Sequence, residues 1–222
     1  MSLHLQRDLD AIKKEILQLG NLVESVINLA IRALVNREAE LAQQALVYED
    51  QINQKEVYIE EECLKILALH QPVAVDLRFI VVVLKVNNDL ERMGDIAQNI
   101  AKRAAYLATQ SPVPVSQEVI SELPEMVRTM VRKSLDALVS LDVELARSVI
   151  GMDDRVDDIN RKTFSEVKSI FERDIRHTDV AISLLSSSRY MERIADLSTN
   201  IAEDVVFMVE GHVVRHKTGN RL

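Results

Sequence analysis

Two stretches of this chain recur about a hundred residues later, and this internal repeat constrains the fold more than any other feature. Residues 90–101 read LERMGDIAQNIA and recur at 191–202 as MERIADLSTNIA, an offset of 101 residues. Upstream, residues 32–53 align with residues 136–157 at an offset of 104. Collinear matches whose offsets differ by only three residues indicate a duplicated unit with one short deletion in a loop.

The join between the two copies is predicted at residues 111–116, SPVPVS, where two prolines lie close together. We therefore divide the chain into a first repeat, residues 1–111, and a second repeat, residues 112–222. Apolar residues in each copy recur in steps of three and four, which places them on one stripe of an α-helix. Because glycine (5) and proline (4) are scarce, a few long helices are favoured over a strand-rich fold with many turns.

Turn signals divide each copy into three helices. Pro72 suits a first helical position and Thr178 suits an N-cap. The predicted helices span residues 3–35, 38–69, 72–109, 119–140, 142–174 and 178–213, and Gly151 is the weakest point of the fifth. The predicted fold class is therefore all-α, with two tandem three-helix bundles, six long antiparallel helices, short loops and packing like that of a four-helix bundle.

Charge and hydropathy argue against several classes of protein. The formal net charge is −8, whereas nucleic-acid binders gain affinity by pairing Lys and Arg with phosphates. No apolar run approaches the ~20 residues of a membrane-spanning helix, and the charged N-terminal segment is unlike a signal peptide. We expect a cytoplasmic protein that reaches a membrane only peripherally, through partners. The single cysteine, Cys63, is expected to be a small buried hydrophobe.

Carboxylates spaced by four residues are the candidate functional feature. Glu91 and Asp95 form one pair, and Glu192 and Asp196 form the pair at the same place in the second copy. Residues i and i+4 lie on one face of a helix, so both members of a pair point the same way. Each pair flanks the apolar stripe of its helix.

A second set of polar residues lies on the preceding helix of each copy. Asp153 and Asp157 are spaced by four, and Glu49 and Asn53 hold the same places in the first copy. At 1.5 Å of rise per residue, the two sets of each hairpin differ in height by only ~3–5 Å. We therefore predict that each hairpin brings its two pairs side by side.

Such clusters point to metal binding. Clustered carboxylates repel one another and raise each other's pKa unless a cation is present. Hard divalent cations and iron accept oxygen-rich sites of this kind. The eight residues are thus candidate ligands of one metal site on each repeat. The alternative of a purely structural helical module with a solvated acidic face, partly neutralised by Arg92 and Arg193, stays open.

An enzymatic interpretation is a di-iron oxidase, whose bundle sites use Glu-x-x-His as well as Glu. No histidine of this sequence lies three residues after a glutamate, and the nearest case is Asp174 with His177. No phosphate loop of the GxxxxGK[ST] type is present, so nucleotide hydrolysis is not expected. We predict that the protein is not an enzyme, with a carboxylate-bridged metal-storage or redox bundle as the alternative.

Residues 71–101, QPVAVDLRFIVVVLKVNNDLERMGDIAQNIA, resemble the signature helix of PhoU proteins. The segments MERIADLSTNIAE (191–203) and VEGHVVRH (209–216) are also similar to that family. The resemblance implies two three-helix repeats and a regulatory, non-enzymatic role. PhoU proteins are negative regulators of phosphate uptake and phosphate-starvation signalling. They couple the ATPase subunit of a phosphate ABC transporter to a membrane sensor histidine kinase.

The resemblance also implies a metal and a ligand set. PhoU proteins bind multinuclear metal clusters at E(D)-x-x-x-D motifs, and iron or zinc is expected here, with manganese and magnesium as alternatives. The amide of Asn53 weakens the first site, so unequal occupancy is expected. A homodimer is compatible with the spare apolar surface of long amphipathic helices. The matching positions are Glu91 and Asp95, Glu192 and Asp196, Asp153 and Asp157, and, at the fourth place, Glu49 and Asn53.

Overall fold

A computed structural model describes residues 3–212 of the 222-residue chain. Residues 213–216 of the VEGHVVRH segment, and the end of the second predicted repeat, lie outside the described residues. A π-helix, Glu118–Glu122, precedes the fifth helix, and a 3-10 turn, Ile175–His177, precedes the last. The α-helices are α1 (Leu3–Asn36), α2 (Ala39–Leu46), α3 (Glu49–His70), α4 (Ala74–Ala108), α5 (Leu123–Ser140), α6 (Val143–Ile150), α7 (Asp153–Arg173) and α8 (Thr178–Glu210).

The predicted all-α class is confirmed, since residues 3–212 contain helices, turns and no strand. None of the helices in this range is long and apolar enough to cross a membrane. Cys63 is fully buried in α3, as expected, and burial raises the pKa of its thiol to about 12.

The second and fifth predicted helices are each interrupted once, which corrects their predicted spans. Tyr48 N donates to Ala45 O at 3.5 Å, and Met152 N donates to Val149 O at 2.9 Å. These i→i−3 bonds tighten one turn and kink the chain while the backbone stays right-handed. The kinks fall at equivalent places of the two repeats, so they belong to the duplicated unit. They make Glu49 and Asp153 the first residues of α3 and α7.

One predicted helix start and one predicted cap are wrong. Helix α4 begins at Ala74 after Val73, so Pro72 precedes the helix rather than opening it. The reason is that Gln71 ends α3 with a left-handed backbone (φ 46°) and the chain must extend before it turns again. Thr178 is the first residue of α8 rather than its cap. The cap is made earlier by Asp174, whose carboxylate accepts a hydrogen bond from Arg176 N at 3.0 Å.

The two repeats share one core. In the first, α1 packs along α4, and α2 and α3 lie against both; in the second, α5, α6 and α7 pack along α8. Helices α4 and α8 also pack along each other, which joins the repeats. Leu90 and Ile100 on α4 and Ile194 and Ile201 on α8 are fully buried in this core, and each such side chain contributes about 1.5–3 kcal/mol. The boundary at residues 111 and 112 stays a prediction.

The segment between the repeats also holds α7 in place. Ser116 N donates to Glu166 Oε2 at 2.9 Å, and Lys162 Nζ donates to Glu118 Oε1 at 2.6 Å. The hydrogen bond from Lys162 is the largest cause that lowers the pKa of Glu118 to about 2. Since α7 carries Asp153 and Asp157, this contact helps to fix one side of the candidate site.

Candidate metal centre

Three of the predicted ligands meet between α7 and α8 in the second repeat. Asp157 on α7 and Glu192 and Asp196 on α8 each offer a carboxylate oxygen, and these oxygens lie within 4.8 Å of one another. Among the His, Cys, Asp and Glu side chains of residues 3–212, this is the one such group of three or more. Asp157 and Glu192 are half-buried and Asp196 is exposed.

The helix period explains why these side chains meet. Val156 and Ile159 on α7 and Ile194 on α8 are buried in the shared core. Asp157 is adjacent to Val156, and Glu192 and Asp196 flank Ile194, so the carboxylates lie at the edge of the apolar stripes. Because α7 and α8 run antiparallel across the short turn at 174–177, these edges face each other.

Asp153 lies one turn before Asp157, at the first position of α7. Thr199 Oγ1 donates a hydrogen bond to Asp153 Oδ1 at 3.1 Å. Burial raises the pKa of Asp153, the Thr199 bond lowers it, and the charge of Asp157 raises it again. Thr199 was not predicted as a site residue, because a single threonine three residues after Asp196 carries no recognisable signal.

The carboxylates of this group are held at a cost. Although Asp196 is exposed as a residue, partial desolvation of its carboxylate by the neighbouring helices, followed by the charges of Glu192, Asp153 and Asp157, raises its pKa to about 6. Burial and then the charge of Asp157 raise the pKa of Glu192. The charge of Arg193 lowers both pKa values but outweighs neither shift. The site is therefore an anionic cluster whose negative charge is not neutralised by the neighbouring Arg193 side chain.

The geometry of this cluster fits a metal ion. Two oxygens on opposite sides of a cation with bonds of about 2.1 Å lie about 4.2 Å apart. Oxygens that already lie within 4.8 Å of one another need only small side-chain rotations to reach that spacing. All the donors are carboxylate oxygens, which suits hard cations and iron.

The predicted ligands of the first repeat are less closely grouped. Glu91 is half-buried, whereas Glu49, Asn53 and Asp95 are exposed. Burial raises the pKa of Glu91 first, and then the charge of Asp95, the charge of Glu56 and a hydrogen bond with Asp95. No three carboxylates of this hairpin bring oxygens within 4.8 Å of one another, as Asp157, Glu192 and Asp196 do in the second repeat. These four residues stay predicted ligands.

Two residues of the first hairpin escaped the sequence analysis. Asn87 Nδ2 on α4 donates to the backbone oxygen of Glu56 on α3 at 2.9 Å. Asn87 is only 1% exposed, and its Oδ1 has no hydrogen-bond partner. Aligning the two repeats could have revealed Glu56. The first repeat lacks the carboxylate of Asp157 at the equivalent Asn53, but it has one three residues later at Glu56.

The helices of the first hairpin approach closely beside Glu91. A Cβ on Gly94 would lie 2.9 Å from Ile52 Cδ1, so glycine is what lets α4 lie this near α3. At the equivalent places the second repeat has Ala195 and Val156. Relative to the first repeat, the second therefore carries one carbon less on α7 and one more on α8.

Comparison with known proteins matches this architecture. The family model for the PhoU domain matches residues 16–104 and 120–205. The chain is 38% identical over 216 residues to a phosphate-specific transport system accessory protein PhoU homolog of Pseudomonas putida, covering 97% of this chain and 84% of that protein. A homolog of the same name from Aquifex aeolicus is 36% identical, covering 96% of each chain.

Solved structures agree. The crystal structure of PhoU from Pseudomonas aeruginosa superposes with a TM-score of 0.90 at 37% identity, covering 93% of this chain and 99% of that one. The phosphate transport system regulatory protein PhoU from Streptococcus pneumoniae gives a TM-score of 0.84 at 26% identity, covering 95% and 99%. The two tandem helical repeats and the resemblance drawn from residues 71–101 are thereby confirmed: the chain belongs to the PhoU family.

Proposed function

We propose that this protein is a metal-binding regulatory adaptor that represses phosphate uptake and phosphate-starvation signalling. The relatives are named as accessory proteins of the phosphate-specific transport system, which supports a role in phosphate transport. In the finer proposal, the adaptor acts between the ATPase subunit of a phosphate ABC transporter and a sensor histidine kinase. The observation that carries the metal is the meeting of Asp157, Glu192 and Asp196 within 4.8 Å.

Asp157 holds the site from α7, and Glu192 and Asp196 hold it from α8. A bound cation would supply the positive charge that offsets the repulsion among these carboxylates. The two helices of the hairpin would then be tied together through their own side chains. A regulatory switch further requires that a partner binds the tied and untied forms with different affinity.

The donor set narrows the choice of metal. All three carboxylates offer oxygen, and no described His or Cys joins them. Structural zinc sites in proteins are built mainly from Cys and His, so these donors suit iron, manganese or magnesium better than zinc. The alternative of a metal-storage or redox bundle has no structural observation in its favour. A cytoplasmic location, a homodimer and the absence of catalysis stay predictions.

The proposal is tested by partner binding. Binding of the full chain to the transporter ATPase subunit and to the cytoplasmic part of the kinase is measured by calorimetry, with Mn²⁺ and with EDTA. We expect Mn²⁺ to change the affinity for at least one partner, and Glu192→Gln/Asp196→Asn to abolish that change. The control Asp136→Asn/Glu172→Gln removes two exposed carboxylates elsewhere and should behave as wild type. Equal partner affinity with Mn²⁺ and with EDTA would contradict the metal-dependent switch. Failure to bind either partner would contradict the adaptor role.

A further inference from the structure

The outer side of the first hairpin carries exposed aliphatic side chains. Val57 and Leu64 on α3 are each at least 50% exposed, and Leu77 and Val81 on α4 are each 40% exposed. Val57 and Leu64 are seven residues apart, and Leu77 and Val81 are four apart, so each pair lies on one face of its helix. The outward face of a helix is normally polar, whereas a contiguous exposed apolar patch marks an interaction site.

The two pairs lie at the same height along the antiparallel helices α3 and α4. Asn87 Nδ2 on α4 donates to the backbone oxygen of Glu56 on α3 at 2.9 Å, and this contact fixes the register of the two helices. Leu64 lies eight residues after Glu56, and Val81 lies six residues before Asn87. At 1.5 Å of rise per residue, Leu64 and Val81 therefore differ in height by only about 3 Å.

Both pairs also border the same groove. On α4, Leu84 precedes Asn87 by three residues and is half-buried. Leu77 lies seven residues before Leu84, so this stripe runs beside the contact with α3. On α3, Lys55 pairs with a glutamate of α1, and Leu64, nine residues later, lies on the opposite side of the helix. The aliphatic side chains therefore line a groove between α3 and α4 that faces away from α1.

The groove is acidic as well as apolar. Glu60 lies one turn from Val57 and one turn from Leu64, and it is exposed. The two lysines of α3 already pair with Glu15 and Glu62, so this helix has no further lysine to offset the charge of Glu60. A cationic side chain of a partner would meet this carboxylate beside the apolar strip, and charge complementarity of this kind selects partners.

The second repeat does not keep this groove surface. Arg161 and Lys168 hold the places of Val57 and Leu64, and Phe164 holds the place of the groove's glutamate. Arg161, Phe164 and Lys168 are all exposed. The aliphatic strip and its carboxylate are thus features of the first repeat, and a partner that needs both distinguishes the two repeats.

The length of the strip fits one helix. The distance from Val57 to Ala68, both exposed, is about 16 Å, or three helical turns. A groove between two helices takes an amphipathic helix whose apolar side chains recur every three or four residues. A strip of this length and one helix spacing of about 10 Å in width is far smaller than the ~800 Å² per partner that a stable dimer buries. A single helix therefore fits the strip better than a second copy of this chain.

We propose that this groove is the docking site for an amphipathic helix of a protein partner, with aliphatic side chains on one face and Lys or Arg at its edge. The aliphatic side chains pack between Leu64 on α3 and Val81 on α4, and a cationic side chain pairs with Glu60. This inference rests on the proposed adaptor role, and it adds the surface that holds a partner and the chemistry of the partner's segment.

The groove is tested with a synthetic helix that has leucines on one face and lysines on the other. Its binding to the full chain is measured by calorimetry, with circular dichroism as the check on folding. We expect the groove variant Leu64→Ser/Val81→Ser to weaken binding at least about tenfold, and Glu60→Lys to weaken it and reduce its dependence on salt. The control Phe164→Ser/Ile182→Ser removes two exposed apolar side chains of the second repeat and should bind as wild type does. A wild type that does not bind the helix, or a groove variant that binds it equally well, overturns the proposal.

The proposed partners and the oligomeric state supply two further outcomes. The transporter ATPase subunit or the cytoplasmic part of the kinase should bind the groove variant more weakly than wild type. If both bind it as they bind wild type, the groove assignment is overturned and the adaptor role is left intact. If wild type binds neither, the adaptor role is contradicted, and the synthetic helix alone decides the groove. Light scattering that shows a dimeric wild type and a monomeric groove variant would place a second copy in the groove and overturn the proposal.

Discussion

At the scale of single residues, the molecule shows where charge and volume are under constraint. Asp196 is the plainest case of charge, because partial desolvation of its carboxylate and three neighbouring carboxylates raise its pKa from 3.8 to about 6. Gly94 is the plainest case of volume, because its missing Cβ lets Ile52 approach. Each makes a prediction about stability that is independent of the metal.

In the metal-free protein, Asp196 should make folding less favourable as the pH rises. Between pH about 4 and 6 the folded state binds more protons at this residue than the unfolded chain does, so the free energy of unfolding falls as pH increases through that window. Asp196→Asn removes the effect. In EDTA we expect its melting temperature to exceed that of wild type at pH 7.5 and to approach it at pH 4. A variant less stable than wild type at pH 7.5 would contradict this account.

Gly94 and Ile52 should be energetically coupled. In the wild type, Ile52→Val leaves a small cavity and should cost about 0.5–1.5 kcal/mol. In the Gly94→Ala background the added methyl crowds Ile52, so the same substitution should cost less or stabilise, with a coupling energy on the order of 1 kcal/mol. Urea unfolding of the four proteins measures the cycle. Additive effects would mean that the two helices simply move apart.

At the scale of elements, the kink that recurs in both repeats fixes where two of the candidate ligands lie. It starts α3 at Glu49 and α7 at Asp153. The sequence did not reveal it in the first repeat, since Val47 and Tyr48 carry no turn signal, and it was only hinted at by Gly151. The helices on both sides of each kink bury side chains in the core, among them Ala45 on α2 and Val149 on α6.

Gly151 is therefore not the cause of the kink in the second repeat. Its φ is −69°, and a Cβ there would meet only ordinary contacts at 3.6 and 3.7 Å. Val47 holds the equivalent position with a side chain. We expect Gly151→Ala to stabilise the protein by about 0.5–1 kcal/mol and to keep metal binding. A loss of stability in urea unfolding would show that glycine is needed there.

At the scale of the whole molecule, the packing of α4 along α8 turns two repeats into one body. Lys85 on α4 donates to Asp204 on α8, and the Asp204 side chain is only 2% exposed. The Lys85 ammonium also lies 5.7 Å from the centre of the Phe207 ring. This contact crosses the repeats, so both should unfold together.

Lys85→Met should lower the free energy of unfolding by about 1.5–3 kcal/mol, because a buried carboxylate loses a charged donor. Arg161→Met, which removes an exposed pair with Asp158, should cost less than about 1 kcal/mol. Hydrogen exchange under mild denaturant should show α1 and α5 opening in one transition in both variants. Separate transitions for the two repeats would contradict a shared core.

The sequence predicted the repeats, the helical class and the carboxylates that meet in the second repeat, because each depends on spacing along a helix. It could not predict that α4 packs on α8, since an apolar stripe shows that a face is buried but not by which partner. It also missed Glu56 and Asn87. Their relation depends on which side chains face each other across the hairpin, and a four-residue spacing does not contain that information.

The most direct test of the central claim is the metal content of the purified protein. Wild type, Glu192→Gln/Asp196→Asn and the control Asp136→Asn/Glu172→Gln would be incubated with iron, zinc, manganese and magnesium, freed of excess metal and analysed for elements. We predict stoichiometric metal in the wild type and the control, and a loss of the second repeat's share in the site variant. No retained metal in the wild type, or equal metal in all three proteins, would contradict the assignment of Asp157, Glu192 and Asp196 as a metal site.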